Sequence, residues 1–180
     1  MACGIWKPVY IETFESRITD LYFVAEVRES LHNARIDVTV EVEGDATEVE
    51  ILLQNPDGSK FETAKAKAVD GKATTHFVVK NPELWWPHGY GEQPLYALTA
   101  TLGEALDQKK KKLGLRRARL VERPLKDEEG TSFFFEINNT PLWVGGSNWI
   151  PADSFLTTVD EARYRKWLEL AKDGNQIMIR

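Results

Sequence analysis

Between Ile18 and Val121 apolar side chains return at every second position in several separate runs. Leu21, Phe23, Ala25 and Val27 share one face, Ile36, Val38, Val40 and Val42 another, and Tyr96, Leu98, Ala100 and Leu102 a third. Period two marks a strand with one buried face. The runs are punctuated by Gly44-Asp45, Asn55-Pro56-Asp57-Gly58 and Asp70-Gly71, whose residues tolerate positive φ or preset it. No helical periodicity lies among them. Roughly seven short strands spaced by such turns predict a mainly β fold, an immunoglobulin-like antiparallel β-sandwich over residues 13–123. Leu113, Leu115, Ala118 and Leu120, with Arg116, Arg117 and Arg119 between them, are expected to form its last strand with a wet outer face.

Beyond Arg123-Pro124 the pattern changes. Lys126-Asp127-Glu128-Glu129-Gly130 offers no apolar face and reads as a linker, which puts a boundary near Pro124. Phe133-Phe134-Phe135-Glu136-Ile137, the Asn138-Asn139 turn and Leu142-Trp143-Val144 read as a hairpin, because asparagine tolerates the φ > 0 that tight hairpin turns need. The second strand breaks at Gly145-Gly146 and opens into the loop Ser147-Asn148-Trp149-Ile150-Pro151-Ala152-Asp153. A helix follows: Thr158 and Glu161 fit a capping box, Tyr164, Trp167, Leu168 and Ala171 keep the i, i+3, i+4, i+7 spacing, and Gly174 suits a left-handed stop. Ile177-Met178-Ile179-Arg180 resumes as a strand. Strand, loop, helix and strand make the opening of a βα architecture, expected here as an incomplete (β/α) barrel, since the roughly sixty residues after Pro124 compare with about 250 for a closed barrel. Phe133, Phe135, Trp143, Trp167 and Ile177 are then expected to be exposed, leaving the region loose or self-associating unless other strands cover it. At the other end Ile5-Trp6-Lys7-Pro8-Val9-Tyr10-Ile11-Glu12 reads as an edge strand, interrupted by proline, of a preceding unit.

Composition narrows the function. A hydrophobic fraction of 42% supports a buried core, and a net charge of -5 gives no reason to expect nucleic acid or an anionic membrane as partner. The lysine run at 109–112 reads as the solvated tip of a hairpin. Cys3 is the only cysteine, so no internal disulfide forms. No apolar run approaches the ~18 residues of a membrane span, and Met1-Ala2-Cys3-Gly4 lacks the marks of a secretory signal. Asn138-Asn139-Thr140 matches a glycosylation sequon, with Pro141 directly after it. The compartment stays open.

Candidate chemistry concentrates where the βα connection leaves its strand, the place from which barrels assemble their sites. An indole at Trp149 offers a flat face to a pyranose, and Asn148 and Asp153 can bond its hydroxyls. Residue types alone favour the plainer reading, in which Trp149-Ile150-Pro151 plugs the end of a core and Asp153 starts a turn. Arg180 ends the next strand, where its guanidinium can hold a carboxylate ionised, though a strand-end arginine is more often a surface residue. Trp85-Trp86-Pro87-His88-Gly89-Tyr90-Gly91 reads as packing between domains ahead of a sugar platform. His32, His76 and His88 lack metal-ligand spacing. Neither a phosphate loop nor a nucleophilic triad is present, and Glu136 and Glu161 are poor acid/base candidates. No cofactor is implied.

Taken in order, these motifs resemble glycoside hydrolase family 2. Gly4-Ile5-Trp6-Lys7-Pro8-Val9-Tyr10 resembles the closing strand of its sugar-binding jelly roll, placing residues 1–12 in that domain. Leu84-Trp85-Trp86-Pro87-His88-Gly89-Tyr90-Gly91 with Gln93, Leu95 and Tyr96, and then Gly114-Leu115-Arg116, resemble its immunoglobulin-like domain. Phe135-Glu136-Ile137-Asn138, Pro141, Gly146, Asn148-Trp149-Ile150-Pro151, Asp153, Asn175 and Met178-Ile179-Arg180 resemble the start of its TIM barrel, at residues 124–180. The Trp-Trp-Pro and Asn-Trp-Ile-Pro elements are most similar to the β-mannosidase branch. The resemblance implies a retaining exo-glycosidase for terminal β-mannosidic bonds, with an acid/base and a nucleophilic glutamate roughly 5 to 5.5 Å apart. Both glutamates belong to later barrel strands, so no catalytic residue is expected here and the chain alone is expected to be inactive. Carried over by position, Arg180 lies beside the nucleophile, and Asn148, Trp149 and Asp153 lie on a loop at the barrel mouth. The implied partners are an oligosaccharide substrate and the missing jelly-roll and barrel segments. Gly145-Gly146 departs from the usual lysine-glycine. A non-catalytic carbohydrate- or protein-binding sandwich module is the alternative, and a plain spacer a third reading.

Overall fold

Burial follows the alternation. In the computed structural model, which describes residues 4, 5 and 7–180, the first run becomes β1 (Ser16–Val27) and pairs antiparallel with β2 (Asn33–Gly44). Strands β3 (Glu48–Gln54), β4 (Lys60–Lys67), β5 (Lys72–Lys80), β6 (Tyr96–Leu102) and β7 (Asp107–Leu113) complete two antiparallel sheets. Their orders are β1-β2-β5 and β4-β3-β6-β7. This is the expected immunoglobulin-like sandwich. Ile36, Val38 and Val40 of one sheet, and Ile51, Leu53, Leu98 and Ala100 of the other, are at most 1% exposed and form one core with Phe77. At the β4-to-β5 turn Asp70 (φ 49) and Gly71 (φ 75) both take the left-handed conformation that a two-residue hairpin requires.

Three local expectations are corrected. The lysines at 109–112 are not a hairpin tip: they lie within β7, the edge of the four-stranded sheet, and the turn before them contains Gly103 (φ 56) and Ala105 (φ 66). Charge suits an edge because it discourages pairing with another chain. Two of these lysines also reach across the open side of the sandwich. Lys109 Nζ donates to the Thr19 carbonyl at 2.6 Å, Lys111 Nζ stands 3.5 Å from Asp20, and Asp107 Oδ2 accepts the Ile18 amide at 2.7 Å. β1 has its irregularity between Ile18 and Asp20, so these bonds supply the partner that the broken ladder lacks.

The second correction concerns the last strand. Leu113 and Leu115 stay in the sandwich core, Leu115 bridging to Leu84, but β8 (Ala118–Val121) leaves it and pairs with β9 (Phe134–Ile137). The apolar alternation slips by one residue between Leu115 and Ala118, at Arg116-Arg117, and that slip marks the change of sheet. β10 (Thr140–Leu142) adds to the far side of β9 through the expected turn, with Asn138 at φ 48 and Asn139 at φ 63. The polar stretch at 126–130 belongs to the connection between the antiparallel strands β8 and β9, whose base is tied by the Ser132 amide to Arg123 and by Leu125 to Gly130. Asn138 is 3% exposed, so the sequon presents no accessible asparagine in the folded chain.

The third concerns residues 7–14, which carry no strand; Val9, Tyr10 and Ile11 are exposed. Cys3 and Trp6 lie outside the described residues. No described helix is long and apolar enough to cross a membrane.

Phe77→Ala is expected to destabilise the sandwich by about 3–5 kcal/mol, because it empties the centre of a dense core. Val24→Ala, on the wet face, should change stability by no more than about 0.5 kcal/mol. Urea unfolding followed by tryptophan fluorescence checks both.

Candidate functional site

A parallel pair of strands built around a glycine sets the site. β11 (Gly146–Ser147) and β12 (Met178–Ile179) pair parallel, Gly146 opposite Met178 and Ser147 opposite Ile179. Backbone bonds extend the pairing at both ends: Ile177 N to Gly145 O at 3.0 Å, Arg180 N to Ser147 O at 3.1 Å and Trp149 N to Arg180 O at 2.6 Å. A Cβ at position 146 would overlap the Met178 carbonyl oxygen, so only glycine permits this approach. The expected break at Gly145-Gly146 is therefore displaced, with Gly146 inside the ladder.

Helix α1 (Glu161–Asp173) joins the two strands. Its cap is Asp160, not Thr158: Asp160 Oδ1 accepts the Arg163 amide at 2.8 Å, while Thr158 ends a 3-10 turn, Leu156–Thr158, and bonds Phe155 O. The stop is also shifted by one residue. Gly174 keeps φ -77 and Asn175 takes the left-handed conformation at φ 54, with Asn175 N bonded to Lys172 O and Gln176 N to Ala171 O. Asparagine can hold that conformation because its short polar side chain tolerates it.

The four predicted residues fall into two pairs. Asn148 and Arg180 directly follow the two parallel strands, at the same end of the ladder, and both are exposed. Trp149 and Asp153 are engaged by the chain itself. The indole stacks on Tyr164 of α1, with ring centroids 6.1 Å apart and planes at 25°. Asp153 Oδ1 accepts the Phe155 amide at 2.9 Å and Oδ2 lies 3.2 Å from the Arg163 guanidinium. The Phe155 N–H bond, with help from Arg163 and against partial burial, lowers the Asp153 carboxyl below its ordinary range. A hollow of about 420 Å³ opens beside them, lined by Asn148, Trp149, Pro151, Trp167, Gln176 and Ile179 among others; Asp153 and Arg180 are outside that lining.

Two participants were not legible in advance. Ser147 Oγ donates to Gln176 Oε1 at 2.7 Å, tying the entrance of one strand to the exit of the other. Trp167 lines the hollow from α1, although its helical spacing marked it only as core. No group of three or more potential metal ligands occurs among the described residues.

The aromatic loop lies across from this unit. Trp85 is held by Gly114, where any Cβ would sit 2.8 Å from the indole, and by the Arg116 guanidinium 4.6 Å over its ring. Gln93 Nε2 closes the loop by donating to the carbonyls of Trp86 and Gly91. Of the residues expected to be exposed, Phe133, Trp143 and Trp167 are. Phe135 and Ile177 are half-buried, the first because β9 is the central strand of its sheet and the second because it enters the parallel ladder.

Comparison with known proteins identifies the frame. A model of glycosyl hydrolases family 2 matches residues 16–116, from the first residue of β1 to just past Leu115. The chain belongs to this family. Beta-mannosidase B of Thermothelomyces thermophilus is 45% identical over 187 residues, covering 100% of this chain and 22% of the relative. The Aspergillus terreus Beta-mannosidase B is 41% identical, with the same coverage of 100% and 22%. The crystal structure of Beta-D-Mannosidase from Dictyoglomus thermophilum superposes with a TM-score of 0.76 at 33% identity, over 92% of this chain and 21% of that one. Parabacteroides merdae Beta-Glucuronidase also reaches 0.76, at 15% identity over 92% of this chain and 20% of its own, a likeness of fold alone. The chain thus spans about a fifth of the length of the relatives it matches.

Gly146→Ala is expected to abolish the β11–β12 ladder, read as loss of amide protection at Met178 to Arg180 with β2 unchanged. The Asp153 turn has a definite pH sign. A carboxyl held below its unfolded value contributes above that value and is lost as pH falls through the folded one. Protection of the Phe155 amide should therefore persist through the ordinary carboxylate range, about pH 4, and fall only below it; Asp153→Asn should remove this dependence.

Proposed function

We propose that this chain is the non-catalytic middle of a retaining exo-glycosidase that hydrolyses terminal β-mannosidic bonds. Residues 1–12 then belong to a preceding sugar-binding jelly roll, 13–123 to the immunoglobulin-like domain and 124–180 to the start of a TIM barrel whose catalytic glutamates lie on later strands. The observation that carries the reading is the 45% identity to Beta-mannosidase B over the whole chain.

The parallel unit supports the barrel part of this reading. Parallel strands joined by a helix form the repeating unit of a barrel, and sites gather at the strands' C-terminal ends. Asn148 and Arg180 stand at that end, with Trp149 and Asp153 on the loop beyond, so these four residues are the substrate-binding set. Arg180 serves by charge: beside a nucleophilic carboxylate it keeps that group ionised and oriented. Glu136 is paired with Arg117 at 3.3 Å with both side chains largely shielded, and Glu161 stands exposed in the first turn of α1, away from the strand ends. The substrate is an oligosaccharide with a terminal β-mannose, and no membrane or nucleic acid takes part.

Assays with p-nitrophenyl β-D-mannoside and the β-D-glucuronide test this. The longer polypeptide that carries the chain should cleave the mannoside in preference, the isolated chain neither. In that polypeptide Arg180→Met should lower kcat/KM about a hundredfold or more, as expected for loss of a charge acting at the transition state. Turnover by the isolated chain at an enzymatic rate, or preference for the glucuronide, would overturn the reading.

A further inference from the structure

We infer that Asn138 and Arg117 are positioning residues that lock the β9–β10 hairpin onto the sandwich, so that the joint of the chain lies at residues 143–145 and not in the polar stretch at 126–130. Asn138 sits at the first turn position of the hairpin, buried, and every polar group it offers outward is used on another segment. Its N–H donates to Arg117 O at 2.8 Å, its Oδ1 accepts the Arg117 amide at 2.9 Å, and its Nδ2 donates to Trp85 O at 3.1 Å. Such bonds are costly to break when buried, because each leaves an unsatisfied group behind.

Arg117 repeats the clamp from the sandwich side. Its guanidinium donates to Asn139 Oδ1 at 3.0 Å and to Glu136 Oε1 at 3.3 Å, and Glu29 lies 3.8 Å away. The Arg117 and Glu136 side chains are 15% and 14% exposed, so the pair is shielded from most solvent screening. Asn139 Nδ2 adds a bond to Glu29 O at 2.7 Å. The hairpin is thus bonded at three separate places in the sequence: the β1–β2 connection, the aromatic loop and the segment after Leu115.

Past Leu142 the bonding changes. Within residues 16–180 no hydrogen bond or ion pair joins residues 143–180 to residues 16–142; those of the parallel unit are internal, such as Trp149 to Arg180, Ser147 to Gln176 and Arg163 to Asp153. Trp143, at the crossing, is 87% exposed. A hollow of about 590 Å³ lined by His88, Tyr90, Trp143 and Asn175 is the gap across this joint. The β11–β12 unit therefore lacks the polar ties that fix the hairpin and meets the aromatic loop only across hollows, where Trp85 and Pro87 face Leu168 and Ile177, although the resemblance groups the hairpin with the barrel.

Amide hydrogen exchange on the whole chain, read by mass spectrometry, tests this. Peptides within 134–142 should be protected to within about tenfold of those in β6, and those covering 146–150 and 176–180 should exchange at least about a hundredfold faster. Asn138→Gly keeps a turn that accepts φ > 0 and removes only the amide; it should cost the hairpin at least about tenfold in protection, leaving β2 and β6 unchanged. Glu136→Gln preserves shape and weakens the Arg117 pair, and should move the same peptides a few-fold in the same direction. A wild-type hairpin exchanging in step with 146–180, an Asn138→Gly hairpin protected as before, or a Glu136→Gln effect spread to β2 and β6 would each overturn the assignment.

Discussion

A parallel pair of strands needs cover on both faces, and this single requirement divides the molecule. The sandwich meets its own need, because each sheet turns its apolar face to the other and the side chains interdigitate into one core. The β11–β12 unit does not. Helix α1 lies along it with no fully buried residue, and Trp167, Leu168, Leu170, Met178 and Ile179 are all exposed. Its apolar spacing is that of a helix meant to be covered, so in the parent the proposed neighbours are further strands and helices of the same barrel.

How the self-sufficient part carries the dependent one follows from a chain of small commitments. Tyr96 anchors the long connection after β5 by accepting the Glu83 amide at 3.0 Å, which holds Leu84 beside Leu115. That bridge fixes where the chain leaves the core, and two residues later Arg117 meets Asn138. The asparagine is the right residue for the place: it alone combines a tolerated positive φ with both a donor and an acceptor short enough to bond two neighbouring segments. Position and direction of the hairpin are thereby inherited from the sandwich core.

Much of this was legible in the sequence. Period-two alternation and the Asp70-Gly71 and Asn138-Asn139 turns located strands and hairpins, because both signals are local. What was not legible depended on competition. The change of sheet after Leu115 leaves only a one-residue slip in the apolar alternation, at Arg116-Arg117, and the Arg117–Asn138 bonds form at that point. Thr158 and Asp160 both qualify as helix caps, and the choice fell to Asp160, whose carboxylate reaches the Arg163 amide. The lysine run misled because edge strands need no buried face, so their sequences resemble turns. At the site, position along the parallel unit could be read from the Gly-Gly, loop and helix order, whereas the stacking of Trp149 on Tyr164 depends on packing that no spacing reports.

That stacking bears on how the four candidate residues divide their work. A loop that leaves a strand with several polar groups has to be held still before any of them can recognise a ligand. Here Trp149 and Asp153 hold it: one leans on α1 through Tyr164, the other grips the helix through Arg163 and turns the chain at Phe155. Asn148 and Arg180 have no side-chain hydrogen bond among the described residues and follow adjacent strands, which suits the role in ligand binding proposed for them. Under the proposed reading the amide meets a hydroxyl and the guanidinium a carboxylate. Asp153 then contributes to recognition through the loop it shapes, and its lowered carboxyl pKa reports that structural role, since the dominant cause is a backbone N–H of the same turn.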